Sequence, residues 1–454
     1  MSDLFTGLRP AEQIDADLAE RLPALSRHEA IVEASNCLYC FDAPCMVACP
    51  TSIDIPGFIK LIQTGDRLGS AQRILEQNIL GSSCARVCAV EELCEQACVL
   101  APHEGPIQIG RLQRYATDEV YRDPSGFARA GLVSGAPTGR SVAVVGGGPA
   151  GLAAAAELRI AGHDVTIYDR QPELGGLAMY GIIPLREPSA VAQWEASQVI
   201  ALGATAKVGC EVGVDVTAGE LLEEFDAVFL ANGAGRRVSS ISLVGAEADG
   251  VEDALEFIEE IRIQRPSDVP VGRNVVIVGA GNTAMDAATI AARLGADVVT
   301  CVYRRTQGEM SGYPNEYEHC LKDGVRFRWL TQPVRVLTDD AGHVSGLECH
   351  VVVLGEPGED GRPRPTVTDE VVVIACDHVL LATGQLREPG LYRQFGLDVE
   401  WDRPKMTGPF HTADPRVFAG GDAVLSGKEL SVVDAVAQGR DAARAIDAYL
   451  EDRA

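Results

Sequence analysis

The sequence predicts an α + α/β protein, in which a helical N-terminal domain rich in cysteine precedes two nested Rossmann-like domains. Three observations predict this fold class. Residues 1–122 show helical patterns with few β-branched alternations. Beyond them, an apolar strand, a glycine-rich turn, a helix and a second strand follow one another from 141 to 169, and the same plan returns from 274 to 305. Strands that alternate with helices in this way are typical of βαβ units.

The composition restricts the classes of protein that fit this chain. A length of 454 residues suggests about three domains. The net charge of −26 argues against a nucleic acid or an anionic membrane as partner, since both repel an acidic protein. The N-terminus lacks a basic segment followed by an apolar one, and no apolar run is long enough to span a bilayer. We therefore expect a cytoplasmic protein.

The first glycine-rich turn has the G-x-G-x-x-G pattern at Gly146, Gly148 and Gly151. These glycines allow a tight turn, close approach of backbone to a pyrophosphate, and close packing of helix on strand, while the helix N-terminus supplies partial positive charge. Asp169 ends the following strand about 20 residues on, where a carboxylate can hold ribose hydroxyls. This context favours a dinucleotide without a 2′-phosphate over a chance glycine-rich turn. The same predicted site includes Pro149, Ala150 and Arg170.

The second turn repeats the pattern at Gly279 and Gly281, with Ala284 in place of the third glycine. Its second strand ends in Arg304 and Arg305, where the first repeat has an acid. Arginines at this position can bind a 2′-phosphate, which favours NADPH over the alternative of a solvated strand end. The same predicted site includes Ala280, Asn282 and Thr283.

Two dinucleotide sites nested in one chain suggest a bound flavin and a nicotinamide donor. Two further segments, LLATG at 380–384 and VFAGGD at 417–422, resemble motifs of the FAD/NAD(P)-linked reductase family. The resemblance implies that Asp422 lies near the ribityl chain of the flavin, that Gly175 and Gly176 line the flavin, and that 231–235 cross over to the nicotinamide domain. Besides the first turn with Asp169 and Arg170, the predicted FAD site therefore comprises Gly175, Gly176, Leu177, Gly384, Gly421 and Asp422.

Eight of the thirteen cysteines lie within 37–98, in the segments CLYCFDAPCMVACP and SCARVCAVEELCEQAC. Structural disulfides are not expected in a reducing compartment. Zinc ribbons usually present paired C-x2-C knuckles, and only Cys37 and Cys40 have that spacing. The C-P ending of the first segment and the fusion to a flavin domain favour iron–sulfur clusters over zinc. No C-x-x-C pair follows residue 98, which disfavours disulfide reduction.

The cysteine segments also carry a family resemblance. The segments CLYCFDAPC at 37–45, CPTSIDIPGFI at 49–59, CARVC at 84–88 and EGPIQIGRLQRYATDEV at 104–120 resemble the N-terminal, electron-input half of dihydropyrimidine dehydrogenase. The likeness extends over essentially the whole chain. The small subunit of glutamate synthase and ferredoxin:NADP oxidoreductase subunits are more distantly similar.

That resemblance implies two [4Fe–4S] clusters whose ligands cross between the two cysteine segments. The first cluster would take Cys37, Cys40, Cys45 and Cys98, and the second would take Cys49, Cys88, Cys94 and Gln113. Cys84 would then be a spare thiol. The crossing also has a physical basis, because C-P-terminated runs commonly give their last cysteine to the other cluster, and the pairs 45/49 and 94/98 could lie at i, i+4 on helices. From the residues alone, Cys84 would be preferred to Gln113.

These motifs predict the domain order. We expect a helical iron–sulfur domain at 1–122, a linker at 123–140, a discontinuous FAD-binding domain at 141–265 and 379–454, and an NAD(P)H-binding domain at 266–378.

The expected reaction is oxidation of NAD(P)H with hydride transfer to FAD, followed by passage of single electrons through two clusters to a partner subunit that reduces uracil or thymine. By the resemblance, the partner is an FMN-containing barrel with further clusters, in a hetero-oligomer. Hydride transfer needs no acid–base group, so no catalytic side chain is assigned. The alternatives are a small subunit of a glutamate synthase or of another NAD(P)H:ferredoxin-type oxidoreductase, and a non-enzymatic nucleotide-binding scaffold. The two arginines favour NADPH, whereas bacterial two-subunit relatives are typified by NADH.

Overall fold

The computed structural model describes residues 4–235, 243–358, 361–425 and 430–453. Its helices are α1 (Ala11–Asp17), α2 (Arg27–Ser35), α3 (Pro44–Val47), α4 (Ile55–Thr64), α5 (Arg67–Leu75), α6 (Gly81–Val87), α7 (Ile109–Thr117), α8 (Gly126–Arg129), α9 (Pro149–Ala161), α10 (Leu177–Tyr180), α11 (Ser189–Ala201), α12 (Ala218–Glu224), α13 (Ala254–Ile263), α14 (Asn282–Leu294), α15 (Pro314–Lys322), α16 (Pro389–Gln394) and α17 (Val432–Glu451). Its strands are β1 (Ser141–Val145), β2 (Asp164–Asp169), β3 (Thr205–Val208), β4 (Ala227–Leu230), β5 (Val251–Asp253), β6 (Asn274–Val278), β7 (Val298–Val302), β8 (Arg326–Arg328), β9 (Thr331–Thr338), β10 (Val344–Pro357), β11 (Pro363–Ile374), β12 (His378–Leu381), β13 (Val399–Glu400), β14 (Arg403–Pro404) and β15 (Val417–Ala419).

The chain divides into two compact units. The larger unit comprises 22–179, 186–235 and 387–454, and the smaller unit comprises 1–21, 180–185 and 236–386. Within the described residues, no helix combines the length and the apolar character needed to cross a membrane.

The larger unit contains a five-stranded parallel sheet in the order β15-β4-β1-β2-β3. The helix α9 begins after Gly148 with Pro149 in its first turn and ends at Gly162, whose φ of 98° permits the left-handed cap. The helix α17 packs against α9 at very short range, since a Cβ on Gly439 would lie 2.0 Å from the carbonyl oxygen of Ala150.

The cysteine-bearing half of the larger unit is helical. Asp54 caps α4 by accepting a hydrogen bond from the N–H of Gly57 at 3.0 Å, and the helix ends at Gly65 with a φ of 88°. The amphipathic helices α4 and α7 bury their apolar faces in a common core that includes Phe58, Ile59, Ile62 and Leu112. This core holds the loops that carry the cysteines.

The smaller unit contains a second five-stranded parallel sheet, in the order β5-β12-β6-β7-β8, and a three-stranded antiparallel sheet in the order β11-β10-β9. The helix α14 repeats the plan of α9, with Gly281 before it and Gly295 after it at a φ of 111°. The helix α1 buries Ile14 and Leu18 in the core of the same unit.

Both predicted strand–turn–helix–strand repeats are confirmed, as β1–α9–β2 and β6–α14–β7. The compact units divide the chain differently from the predicted domain bounds. The smaller unit includes α1, which was predicted to belong to the iron–sulfur domain. It also includes β5, α13 and β12, which were predicted to belong to the FAD-binding domain. The reason is strand pairing, because β12 hydrogen-bonds to both β5 and β6. The predicted linker contains α8, whose Phe127 is buried, so this segment is packed against the larger unit.

Candidate functional site

The first glycine-rich turn connects β1 to α9 and is tightly packed. Gly146 has a φ of 104°, and a Cβ there would lie 2.3 Å from the carbonyl oxygen of Ala231. A Cβ on Gly151 would lie 1.8 Å from the carbonyl oxygen of Gly146. Asp169 accepts a hydrogen bond from the N–H of Gly147 at 2.7 Å, and burial raises the pKa of its carboxyl. The turn therefore requires glycine and lies directly beside the acid predicted to bind ribose.

Two more predicted segments contact this turn. A Cβ on Gly176, which has a φ of 54°, would lie 2.7 Å from the Cα of Gly148. A Cβ on Gly421, which has a φ of 65°, would lie 2.7 Å from the Cβ of Ala150. The structure thus brings together the three glycine segments that the sequence predicts for FAD, at approaches too close for larger residues.

Asp422 follows β15 in a short 3-10 turn. Its Oδ1 atom is buried with no hydrogen-bond partner among the described residues, and burial raises the pKa of the carboxyl to about 6. Arg387 fixes the turn by donating to the carbonyl oxygens of Asp422 at 2.6 Å, Ala423 at 3.0 Å and Leu425 at 2.9 Å. A buried carboxylate oxygen is unfavourable unless a ligand donates to it. The hydroxyl groups of a flavin ribityl chain are suitable donors, so the site fits FAD.

Two residues predicted for FAD have other surroundings. Arg170 forms an ion pair with Glu388 at 3.1 Å. Gly384, at a φ of 112°, belongs to the smaller unit and follows β12. Their contact with the flavin stays a prediction.

The second glycine-rich turn lies in the smaller unit, between β6 and α14. Gly279 has a φ of 142°, and a Cβ there would lie 2.4 Å from the carbonyl oxygen of Ala382. The side-chain oxygen of Asn282 accepts a hydrogen bond from the N–H of Tyr313 at 2.9 Å, which ties the start of α14 to the loop before α15. Ala284 is fully buried, which explains why a small residue can stand in for the third glycine.

Arg304 and Arg305 follow β7, and their side chains differ. The Nε of Arg305 donates to the carbonyl oxygen of Pro363 at 3.1 Å on the edge strand β11. Arg304 is exposed and has no hydrogen bond or ion pair among the described residues. Because the carboxyl ends of the parallel neighbours β6 and β7 meet at one edge, Arg304 lies at the same edge as the glycine turn. Its contact with a 2′-phosphate stays a prediction.

The first cysteine cavity is lined by Cys37, Cys40, Cys45 and Cys98. These are the four residues predicted for the first cluster. The rest of the wall is apolar and includes Ala43, Pro44, Ile55, Ile59 and Ile107. Burial raises the pKa of the Cys45 thiol to about 11, so a thiolate forms there only with a compensating cation. Soft sulfur ligands in an apolar pocket fit an iron–sulfur cluster.

The second cysteine cavity is lined by Cys49, Cys84, Cys88, Cys94 and Gln113, together with Asn78 and Val433. It contains the complete second predicted set and also the spare Cys84. The amide Nε2 of Gln113 donates to the carbonyl oxygen of Gly81 at 2.9 Å, which leaves the amide oxygen as the atom that would bind iron. Cys84 is buried on α6 and hydrogen-bonded to Cys88. Both candidates for the fourth ligand therefore reach this cavity.

The predicted i, i+4 placement of paired cysteines on helices is wrong. The helix α3 ends at Val47, before Cys49, and Cys98 follows a series of turns. The N–H of Cys49 donates to the oxygen of Met46 at 3.2 Å, and the N–H of Cys98 donates to that of Glu95 at 3.1 Å. These bonds reach three residues back, so the chain turns more tightly than an α-helix. Among the described residues, no three or more His, Cys, Asp or Glu side chains converge on one point to hold a single metal ion, so the cysteines that line the two cavities enclose a wider space.

Sequence reasoning missed contacts made by α17. Val433, in its first turn, lines the second cysteine cavity. Arg440, only 6% exposed, donates to the carbonyl oxygen of Thr51 at 2.6 Å. A separation of 389 residues lies between those two partners, so no local pattern signals the contact.

Four exposed apolar side chains lie within two residues of a cysteine of the first cavity in the sequence. We call them the apolar collar, and they are Leu38, Phe41, Val47 and Val99, with exposed fractions of 60%, 99%, 87% and 41%. Leu38 and Val99 also line the first cavity. The sequence signal for the collar is the position of each apolar residue one or two places from a cysteine.

Comparison with known proteins agrees with this geometry. Residues 15–124 match the family described as dihydropyrimidine dehydrogenase domain II, 4Fe-4S cluster. Residues 140–439 match the pyridine nucleotide-disulphide oxidoreductase family. The solved structure of Mycobacterium tuberculosis FprA in complex with NADPH has a similar fold, with a TM-score of 0.56 and 18% identity over 69% of this chain and 85% of FprA. At that identity the likeness concerns the fold alone.

Three proteins of Escherichia coli are similar in sequence. The glutamate synthase [NADPH] small chain is 33% identical over 98% of this chain and 96% of its own length. The NAD-dependent dihydropyrimidine dehydrogenase subunit PreT is 36% identical over 96% and 97%. The putative oxidoreductase AegA is 36% identical over 92% of this chain, which spans 65% of AegA. The predicted family and the expectation of an NAD(P)H-dependent FAD and iron–sulfur oxidoreductase are confirmed. The chain belongs to the pyridine nucleotide-disulphide oxidoreductase family, as a member with an N-terminal 4Fe-4S domain of the dihydropyrimidine dehydrogenase type.

Proposed function

We propose that this chain is the electron-input subunit of an oxidoreductase whose partner subunit reduces uracil or thymine to the dihydropyrimidine. When bound, FAD accepts a hydride from NAD(P)H, and two [4Fe–4S] clusters pass single electrons to the partner. The observation that carries the proposal is that α17 contacts both the helix after the first glycine-rich turn and the second cysteine cavity, which lie in the larger unit. This helix packs on α9, which follows the first glycine-rich turn, and its Val433 lines the second cysteine cavity.

The proposal assigns a holding role to each group of residues. The first glycine-rich turn holds the pyrophosphate of FAD, Asp169 its ribose and Asp422 its ribityl chain. The second turn holds the nicotinamide dinucleotide, and Arg304 binds a 2′-phosphate. Cys37, Cys40, Cys45 and Cys98 bind the first cluster. Cys49, Cys88, Cys94 and Gln113 bind the second, with Cys84 as the spare thiol.

The proposal gives the two cysteine cavities different positions along the electron path. Val433 of α17 lines the second cavity, so a cluster held there would accept electrons from the flavin side. Leu38 and Val99 of the apolar collar line the first cavity, so a cluster held there would deliver electrons to the partner. Apolar side chains that stand 87% and 99% exposed next to cysteine ligands are suited to contact with another protein. The partner we propose is an FMN-containing barrel with further clusters, which docks on this collar.

The pyrimidine substrate rests on the match of residues 15–124 to a dihydropyrimidine dehydrogenase domain. A second candidate is the electron-input subunit of a glutamate synthase. The observation in its favour is the similarity to a glutamate synthase small chain, which covers 96% of that protein. The two candidates share the same input chemistry and differ only in the partner.

Purification of the native complex tests the proposal. A tagged form of this chain, expressed in its own host, is expected to retain a partner that contains FMN, and the complex should oxidise one NAD(P)H for each uracil or thymine reduced. Dihydropyrimidine formation would be measured by chromatography. A partner without FMN, or a complex with glutamate synthase activity and no pyrimidine turnover, would overturn the pyrimidine role. Failure of the chain itself to reduce a dye with NAD(P)H would overturn the input role.

A further inference from the structure

The second cysteine cavity has a hydroxyl group in contact with one of its thiols. The Oγ1 atom of Thr51 lies 3.3 Å from the Sγ of Cys49, and Thr51 is fully buried. Asn78 donates its Nδ2 to the same Oγ1 at 3.5 Å. The side-chain oxygen of Asn78 in turn accepts the N–H of Leu80 at 3.1 Å, which fixes the amide orientation.

The direction of the Thr51–Cys49 hydrogen bond follows from counting protons. A threonine hydroxyl has one hydrogen to donate and can accept others. The contact with Asn78 uses an acceptor position of Oγ1, so the hydroxyl hydrogen of Thr51 stays available to the sulfur. When Cys49 binds metal it is a thiolate, which only accepts hydrogen bonds. Thr51 is therefore the donor.

The position of Thr51 is fixed by α17. Arg440 donates through Nη1 to the carbonyl oxygen of Thr51 at 2.6 Å and to the carbonyl oxygen of Gln77 at 3.2 Å. Arg440 is only 6% exposed, so these bonds are made largely out of solvent. The helix that adjoins the dinucleotide-binding sheet thus holds the backbone on which the hydroxyl stands.

We infer that Thr51 donates a hydrogen bond to the thiolate of Cys49 and thereby raises the reduction potential of the cluster in the second cysteine cavity. The reduced cluster carries one more negative charge, so a donor to its ligand sulfur stabilises the reduced form more than the oxidised form. A higher potential favours acceptance of an electron from the flavin side. The inference deepens the proposed function and rests on it, because it requires a cluster bound by Cys49.

Reduction potentials of the full chain with its cofactors test this inference. They would be measured by redox titration monitored by electron paramagnetic resonance, and the second-cavity cluster is recognised as the signal that changes shape in Gln113→Cys. In Thr51→Val, which is nearly isosteric, its potential is expected to shift to more negative values. Thr51→Ala should give the same direction of shift, and Thr51→Ser, which keeps the hydroxyl, should stay close to the wild type.

Thr117→Val is the matched control. Thr117 is equally buried and lines neither cavity. Among the described residues, its hydroxyl donates only to the carbonyl oxygen of Arg114, at 3.3 Å. An unchanged potential in Thr51→Ala or Thr51→Val with normal iron content would overturn the inference, as would an equal shift in Thr117→Val. Absence of any cluster in the wild-type protein would instead overturn the proposed function.

Discussion

At the residue scale, the two side chains that we propose to contact ligands, Asp422 and Arg304, each have a polar group without a side-chain partner among the described residues. The buried Oδ1 of Asp422 lacks a donor among the described residues, while Arg387 uses its guanidinium to hold the surrounding backbone. Arg304 stands exposed beside the second glycine-rich turn, whereas its neighbour Arg305 is tied to β11. In each pair, one side chain bonds to the surrounding backbone, and we propose that the other contacts the ligand.

Replacement of Arg304 tests this division. A hydrogen bond to a charged group contributes about 1.5–3 kcal/mol, so Arg304→Ala should lower kcat/KM for NADPH by roughly 10- to 100-fold. The value for NADH should change little, because NADH lacks the 2′-phosphate. Steady-state kinetics with both nucleotides provide the measurement, and Arg326→Ala, at an exposed arginine on β8 of the same unit, is the control. Equal losses for both nucleotides would contradict the assignment.

At the element scale, the two βαβ units could be predicted because their signals are local. A strand, a glycine-rich turn and the start of a helix fall within a dozen residues at 141–151, and the same holds at 274–284. The pairing of β12 with β5 and β6 joins segments far apart in sequence, so the boundary of the smaller unit could not be predicted. The contact between Arg440 and Thr51 could not be predicted for the same reason, because 389 residues separate the two partners. The prediction that paired cysteines lie on helices was wrong for another reason. Cysteines four residues apart in the sequence can lie in tight turns as well as on a helix.

Two elements of the larger unit, α6 and α11, meet at a buried pair of acids. The hydroxyl of Ser83 contacts a carboxyl oxygen of both Glu187 and Glu195. Glu195 also accepts the N–H groups of Ser82 at 2.8 Å and Ser83 at 3.1 Å. One hydroxyl hydrogen cannot be donated fully to two carboxylates, and this favours the protonated form of one carboxyl of the pair. Burial is the main cause that raises the pKa of Glu195 to about 8, and the charge of Glu187 adds to it.

This raised pKa predicts how stability depends on pH. The folded chain binds a proton at Glu195 more tightly than the unfolded chain. The stabilising contribution of this proton is complete below the ordinary glutamate pKa of 4.5 and is lost as the pH rises through about 8. The unfolding temperature of the wild type should therefore fall relative to that of Glu195→Gln across this interval. Thermal unfolding of the holoprotein as a function of pH provides the measurement. Glu318→Gln, at an exposed position, should follow the wild type, and parallel curves for all three proteins would contradict the prediction.

At the scale of the whole molecule, charge and apolar surface favour different kinds of contact. A net charge of −26 gives the chain a repulsive field towards other acidic proteins, and this field is screened at physiological salt. The hydrophobic attraction that the apolar collar can provide is short in range and is not screened by salt. A partner that docks on the collar, as we propose, would be held by burial of apolar side chains that are adjacent in sequence to the cysteines of the first cavity.

Phe41 is the side chain on which this docking should depend most. It is 99% exposed in the chain alone, and burying a phenylalanine side chain stabilises a complex by about 1.5–3 kcal/mol. Phe41→Ser is therefore expected to weaken binding of the co-purified partner by roughly 10- to 100-fold. Reduction of a small dye by NAD(P)H should be unchanged, because a dye needs no docking surface. Trp401→Ser removes another aromatic side chain of the larger unit, 92% exposed on the β13–β14 turn, and should leave partner affinity intact. If both variants weakened the complex equally, or if only Trp401→Ser did so, the electron exit would not lie at the collar.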